Sequence, residues 1–208
     1  MAGRNTASIK AVLFDLGGVL VELRGEAHMM SLVGGRMTRD AMWHTWLHSP
    51  AVRLHETGRI GAEEFAREAI REFGLEIAPA DFLTGFRAWV KAPFEGEHDL
   101  LRATGERYIT ALASNISAVH WPLIEAMGIP AAAHHVFASH LVGEIKPDAA
   151  YFAEALRRIG VAPHEAVFFD DNLINVEGAR AVGIDAHRTM GVIETRNKLV
   201  ELGMLERG

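Results

Sequence analysis

The 208-residue chain contains no cysteine. That excludes disulfides, thiolate-held zinc and thiol catalysis, and removes the usual mark of a small secreted scaffold, so a cytoplasmic location is expected. No stretch approaches the roughly 18 uninterrupted apolar residues of a membrane span, and Met1 to Ser8 hold no apolar core of the kind a secretory signal needs. These first residues read as a short mobile tail, and no membrane partner is expected. Positive charge is also scarce: 21 Lys and Arg face 27 Asp and Glu, for a formal net charge of -6. A broad nucleic-acid surface needs a basic excess to displace phosphate counterions, so nucleic acid is not an expected partner. Any anionic ligand must meet positive charge locally. Internal repeats and low-complexity tracts are absent as well.

What is present suits a globular fold. Hydrophobic residues make up 49% of the chain and charged residues 23%, and the length fits one domain carrying a modest insertion. Ala11 to Phe14 is a continuous apolar run ending at Asp15 and Gly17-Gly18, the pattern of a buried parallel strand delivering its carboxyl end to a loop. Similar runs recur at Tyr108 to Ala113, His135 to Ala138 and Ala166 to Phe169, with a shorter one at Gly183 to Ala186. Between them, Gly96 to Thr104, Ala118 to Met127, Asp148 to Ile159 and Asn172 to Val182 have helical periodicity. Alternation of this kind implies an α/β fold, a Rossmann-like three-layer sandwich with a parallel sheet whose chemistry sits at the carboxyl ends of its strands. The stretch from Leu23 to Lys91 breaks the alternation. It shows no convincing strand but helical patterns at Arg39 to Leu47, Ala62 to Phe73 and Pro79 to Val90. The expected organisation is a core of residues 9–22 and 92–208, with an all-helical cap of residues 23–91 inserted after the first strand, above the carboxyl edge.

That edge collects Asp15 from the first strand, Ser114-Asn115 from the second, Lys146 before a helix, and Asp170-Asp171 from the strand at Ala166 to Phe169. The set suits phosphoryl transfer. A phosphoryl group repels an attacking carboxylate, so a cation must neutralise both partners, and Mg²⁺ with its preference for oxygen ligands fits converging carboxylates that would otherwise repel one another. Lys146 adds a point charge, and Ser114 with its neighbouring amides adds neutral donors. Each also has a plainer reading: Asp171 as a helix N-cap, Ser114 as the cap of a helix near Ser117, Lys146 as a solvated lysine before proline.

The segments Phe14-Asp15-Leu16-Gly17-Gly18-Val19-Leu20, Ala113-Ser114-Asn115, Ile145-Lys146-Pro147 and Phe168-Phe169-Asp170-Asp171-Asn172 resemble, in order, the four motifs of the haloacid dehalogenase (HAD) superfamily, over about Lys10 to His187. The resemblance implies Asp15 as nucleophile, Lys146 as its catalytic partner, and Ser114, Asn115 and Lys146 around the phosphoryl group. It implies Mg²⁺ held by Asp15, the Gly17 carbonyl, Asp170 and Asp171. The expected activity is Mg²⁺-dependent hydrolysis of a small phosphorylated metabolite such as a sugar phosphate, by a monomer or homodimer. Two alternatives stand beside it: a catalytically impaired binding protein, and a 2-haloacid dehalogenase, for which the acidic pair would be superfluous.

One position departs from the family pattern. Most phosphatases of the superfamily carry a second aspartate two residues after the nucleophile, as acid and base, where this chain has Gly17. The Asp-Leu-Gly-Gly-Val variant, with Leu54-His55-Glu56-Thr57-Gly58-Arg59-Ile60, is similar to a branch that includes α-glucose-1-phosphate phosphatases. Gly58 should form a tight turn aimed at the active site, making His55, Glu56 and Arg59 the candidates to contact the leaving group and His55 or Glu56 the candidate acid. Among the eleven histidines, His44 and His48 have i, i+4 spacing but lack the glutamate of a metalloprotease helix, and read as structural. Trp43, Trp46, Phe82, Phe86 and Trp89 read as packing between cap helices. Glu22 and Arg24 read as hinge charges, and Asn172 and Asn175 as residues that orient the acidic loop.

Overall fold

The computed structural model describes residues 9–206; the N-terminal tail read at Met1 to Ser8 lies outside them. The chain opens with strand β1 (Ala11–Phe14) and a short β2 (Val21–Leu23), then passes through five helices, α1 (Gly25–Val33), α2 (Arg39–His48), α3 (Pro50–Glu56), α4 (Ala62–Glu72) and α5 (Pro79–Arg87). It returns through β3 (Val90–Pro93), α6 (Glu97–Gly105), β4 (Ile109–Ser114), α7 (Trp121–Ala126), β5 (His135–Ala138) and α8 (Ser139–Val142). The last elements are α9 (Ala149–Ile159), β6 (Ala166–Asp170), α10 (Leu173–Ala181), β7 (Asp185–Arg188) and α11 (Gly191–Glu201).

Five strands form one parallel sheet in the order β5-β4-β1-β6-β7. Strand β1 is fully buried at its centre, which is why its sequence is continuously apolar rather than alternating. Alternate residues still divide between two faces. Val12 and Phe14 pack with Leu100, Leu112, Phe169 and Leu199 on one side; Ala11 and Leu13 pack with Phe137, Tyr151, Phe152, Phe168 and Val176 on the other. Helices α6, α7 and α11 thus cover one face, and α9 and α10 the second. After β1 the chain builds outward through β4 and β5, then crosses to β6 and β7. The order reverses beside β1, and a crevice opens at such a switch point.

Helices α1–α5 bury a separate apolar cluster around Met29, Met42, Trp46, Phe65, Phe82 and Phe86. Their starts are marked in the sequence. Thr38 caps α2 by accepting from Ala41 N (3.2 Å), and Ser49 caps α3 by accepting from Val52 N (3.1 Å), with Pro50 in the first turn. The expectation of no strand between Leu23 and Lys91 is corrected at both margins. β2 and β3 pair antiparallel as a two-stranded ribbon, Val21 opposite Pro93 and Leu23 opposite Val90, so the chain enters and leaves the insertion on adjacent rails. Strands of three and four residues are too short to display a period of two. Other boundaries move by a few residues: the helix expected from Ala118 begins at Trp121, and the shorter strand near Gly183 begins at Asp185.

His55, expected near the leaving group, is instead part of this helical cluster. It is 3% exposed, its ring lies flat on Phe65 (4.2 Å between centroids, 5° between planes), and Nδ1 donates to Ile60 O at 3.3 Å. Burial pushes its pKa down to about 4, with the nearby His120 and His140 acting the same way. His44 and His48 stack on each other on the exposed side of α2, as a structural pair. No helix of the described residues is long and apolar enough to cross a membrane.

Two outcomes are expected. Phe65→Ala should cost about 3–5 kcal/mol through lost burial and the cavity left behind, read as a lower urea midpoint at unchanged slope. Below pH 6.5 the unfolded chain binds a proton at His55 that the folded chain refuses until about pH 4. The stabilisation from neutral His55 is therefore present above pH 6.5 and is lost as pH falls toward 4, by about 3 kcal/mol in all. His55→Phe should flatten that part of the acid unfolding profile.

Candidate active site

The sheet order sets three chain segments side by side at one edge. β1 pairs with β4 and with β6, Phe14 lying opposite both Leu112 and Phe169, and Asp15 N continues the ladder by donating to Phe169 O at 2.9 Å. Asp15, Ser114 and Asp170 therefore emerge together, all buried. The chain then turns sharply: Val19, Leu20 and Val21 N all donate back to Leu16 O. Gly18 serves this turn in two ways. Its φ of 76° is left-handed, and a Cβ there would stand 2.4 Å from Asp171 Oδ2, so only glycine lets that carboxylate approach.

Lys146 is the positive charge of the site. Its Nζ lies 2.9 Å from Asp15 Oδ1 and 2.6 Å from Asp170 Oδ2, and the side chain is almost wholly buried. Burial works against its charge, but the two carboxylates outweigh burial and hold its pKa above the ordinary lysine value. Its backbone is clamped by Asn115, whose Nδ2 donates to Lys146 O while Oδ1 accepts from Lys146 N, both at 2.9 Å. Asn115, expected at the phosphoryl group, thus spends its carboxamide on placing Lys146.

Asp170 is saturated with donors: Lys146 Nζ and Asn175 Nδ2 reach Oδ2, and Asn172 N and Asn175 Nδ2 reach Oδ1. Asn175 orients the acidic loop, as read from the sequence. Asn172 rather than Asp171 caps α10, accepting from Ile174 N at 3.0 Å, so the capping role weighed for Asp171 falls to its neighbour. Oxygens of Asp15, Asp170 and Asp171 all lie within 4.8 Å of one another. Asp15 Oδ1, although close to Lys146, accepts no aligned hydrogen bond. Burial raises the pKa of Asp15 to about 7, opposed by Lys146 and reinforced by Asp170 and Asp171; burial and Asp170 raise Asp171 to about 6. One ammonium does not neutralise three carboxylates, and this all-oxygen set fits a hard divalent cation.

The other candidates separate. Glu22 and Arg24 pair with each other at 2.9 Å. Glu56, at the end of α3, senses both Lys146 and Asp15, whereas Arg59 opens onto a distinct cleft of about 670 Å³ between insertion and core. Arg87, Val119 and Leu123 also line that cleft, and Asp15 does not. Ser139 went unnoticed in the sequence, being an isolated serine in no motif. Its Oγ donates to Glu56 O at 2.6 Å and accepts from Ile116 N at 2.9 Å, fastening the insertion to the loop that follows Ser114-Asn115.

Comparison with known proteins agrees with this geometry. The chain is 29% identical over 205 residues to phosphatase MT3486 of Mycobacterium tuberculosis (strain CDC 1551 / Oshkosh), covering 93% of each chain. It is 22% identical over 199 residues to a D-ribitol-5-phosphate phosphatase of Bacteroides thetaiotaomicron, covering 92% of this chain and 97% of the relative. Among solved structures, a HAD family enzyme of Bacteroides thetaiotaomicron in complex with magnesium and inorganic phosphate superposes with a TM-score of 0.69 at 23% identity, covering 86% of this chain and 93% of the other. Residues 9–183 match the family pattern of the haloacid dehalogenase-like hydrolases, and with its motif residues converging on one sheet edge, the chain belongs to that family.

Proposed function

We propose that the protein is a Mg²⁺-dependent phosphatase of small phosphorylated metabolites, with Asp15 as nucleophile. The observation that carries this reading is the juxtaposition of Asp15, whose Oδ1 accepts no aligned hydrogen bond, with the buried ammonium of Lys146 and the carboxylates of Asp170 and Asp171. Asp15, Asp171 and the Gly17 carbonyl would hold Mg²⁺, with Asp170, its acceptor sites already filled by protein donors, at its border. Bound there, the ion would neutralise charge on the phosphoryl oxygens and on the attacking carboxylate.

This chain's residues then have distinct tasks. Lys146 opposes the protonation of Asp15 and pairs with a phosphoryl oxygen. Asn115 and Asp170 hold Lys146 in place, and Ser114, at the end of the adjacent strand, adds a hydroxyl donor. Asp15 attacks phosphorus in line, forming an aspartyl-phosphate that water hydrolyses. Residues 23–91 act as the cap over this edge, hinged at the β2–β3 ribbon, and exclude bulk water when seated. The dehalogenase alternative gives no task to Asp171. Phosphatases among the relatives, one of them named for a polyol phosphate, support a sugar or polyol phosphate as substrate.

Purified protein should release phosphate from a panel of sugar and polyol phosphates with Mg²⁺ and not with EDTA; silence across the panel would leave a binding protein. Asp15→Asn should lower kcat by about 10³-fold or more with the fold intact by circular dichroism. Mg²⁺ should raise the Tm of the wild type, by about 2.7 kcal/mol of stability at 100 times its Kd, and Asp171→Asn should lose most of that shift.

A further inference from the structure

Gly17 leaves the first motif without an acid, and the structure shows what stands in its place. A Cβ built on Gly17 would lie 2.4 Å from Leu23 Cδ1 and 3.3 Å from its Cγ. Leu23, on β2 where the chain enters the insertion, is half exposed although it is a large apolar side chain. It fills the space into which any side chain at position 17 would grow. An aspartate there would have to displace the Leu23 methyl before its carboxyl could reach the site.

An acidic residue stands on the insertion side of the site, at the end of α3. Glu56 ends α3, and its surroundings are unusually fixed for a helix terminus. Its carbonyl accepts from Ser139 Oγ at 2.6 Å, and Ser139 also accepts from Ile116 N at 2.9 Å, in the loop after Ser114-Asn115. Thr57 Oγ1 closes the helix end on Arg53 O at 2.7 Å. Two residues on, Gly58 turns with φ 73°, so near the core that a Cβ would stand 2.8 Å from His140 O. The Glu56 carboxyl lies within the electrostatic reach of both Lys146 and Asp15. Burial raises its pKa to about 7, with Lys146 opposing and Asp15 adding.

We propose that the general acid and base of this enzyme has moved from the β1 loop to the insertion: Glu56 is the proton donor, and Leu23 occupies the position vacated at Gly17. This rests on the phosphatase reading above. As Asp15 Oδ bonds to phosphorus and the phosphorus–oxygen bond to the leaving group breaks, the Glu56 proton passes to the departing oxygen, releasing the alcohol. The Glu56 carboxylate then takes a proton from the water that attacks phosphorus. The phosphorus–oxygen bond to Asp15 breaks, inorganic phosphate leaves, and Glu56 is protonated again. Because the acid arrives on the insertion, the site becomes competent only when the insertion is seated on Ser139 and His140.

The test compares leaving groups of different acidity. In Glu56→Gln, kcat/KM for glycerol 3-phosphate should fall about 10²- to 10⁴-fold. For 4-nitrophenyl phosphate, whose leaving group needs no proton, kcat/KM should change less than about threefold, with a burst of one equivalent of nitrophenol as the aspartyl-phosphate accumulates. Adding Gly17→Asp to Glu56→Gln should recover nothing. Adding Gly17→Asp with Leu23→Ala should recover at least about tenfold on the alkyl phosphate. Equal losses on both substrates, or no loss on either, would overturn the role of Glu56, and recovery by Gly17→Asp alone would overturn that of Leu23. A Mg²⁺-dependent rise in Tm checks that each variant is folded. Activity surviving Asp15→Asn would instead defeat the underlying phosphatase reading, whatever Glu56→Gln does.

Discussion

A buried ammonium between two buried carboxylates organises this protein. Lys146 Nζ touches Asp15 and Asp170, and none of the three side chains is more than 10% exposed. Removing such charges from water is costly unless each finds a partner, so the surroundings are arranged to satisfy them. Asn175 and the Asn172 amide complete the hydrogen bonds of Asp170, and Asn115 holds the Lys146 backbone from both sides. Asp15 Oδ1 is the member without an aligned hydrogen bond, and Asp171 stands beside it. The chemistry is expected where satisfaction is incomplete.

Parallel pairing makes this arrangement possible. Asp15 and Asp170 are far apart in sequence, yet β1 and β6 are neighbours because the strand order reverses there. The same pairing makes the strand ends rigid, since both faces of the sheet are covered by helices and the residues leading to the site have no exposed surface. The helical insertion is fastened differently. A two-stranded ribbon anchors its ends, and polar contacts such as Ser139 to Glu56 and His120 to Phe86 O seat it on the core. Hydrogen bonds of this kind contribute about 1 kcal/mol each, far less than the apolar clusters inside each part.

The sequence by itself determined most of the elements and the family. Continuous apolar runs marked the strands because a strand covered on both faces tolerates nothing else, and β1 and β5 have the bounds that their runs indicated. The ordered motifs pointed to Asp15, Ser114, Lys146 and Asp170-Asp171, groups that phosphoryl chemistry would use, and the structure brings them to one sheet edge. Tertiary structure decided what the neighbours do. Nothing local says that His55 turns into the apolar cluster while Glu56 faces the charges, because the two share one helix end and differ only in which way each points. Nor does the sequence show that the Asn115 carboxamide clamps the Lys146 backbone, and Ser139 reads as nothing at all. That Gly17 is walled by Leu23 is equally invisible in one dimension. It depends on β2 folding back past the β1 loop, a contact made by packing rather than by pattern.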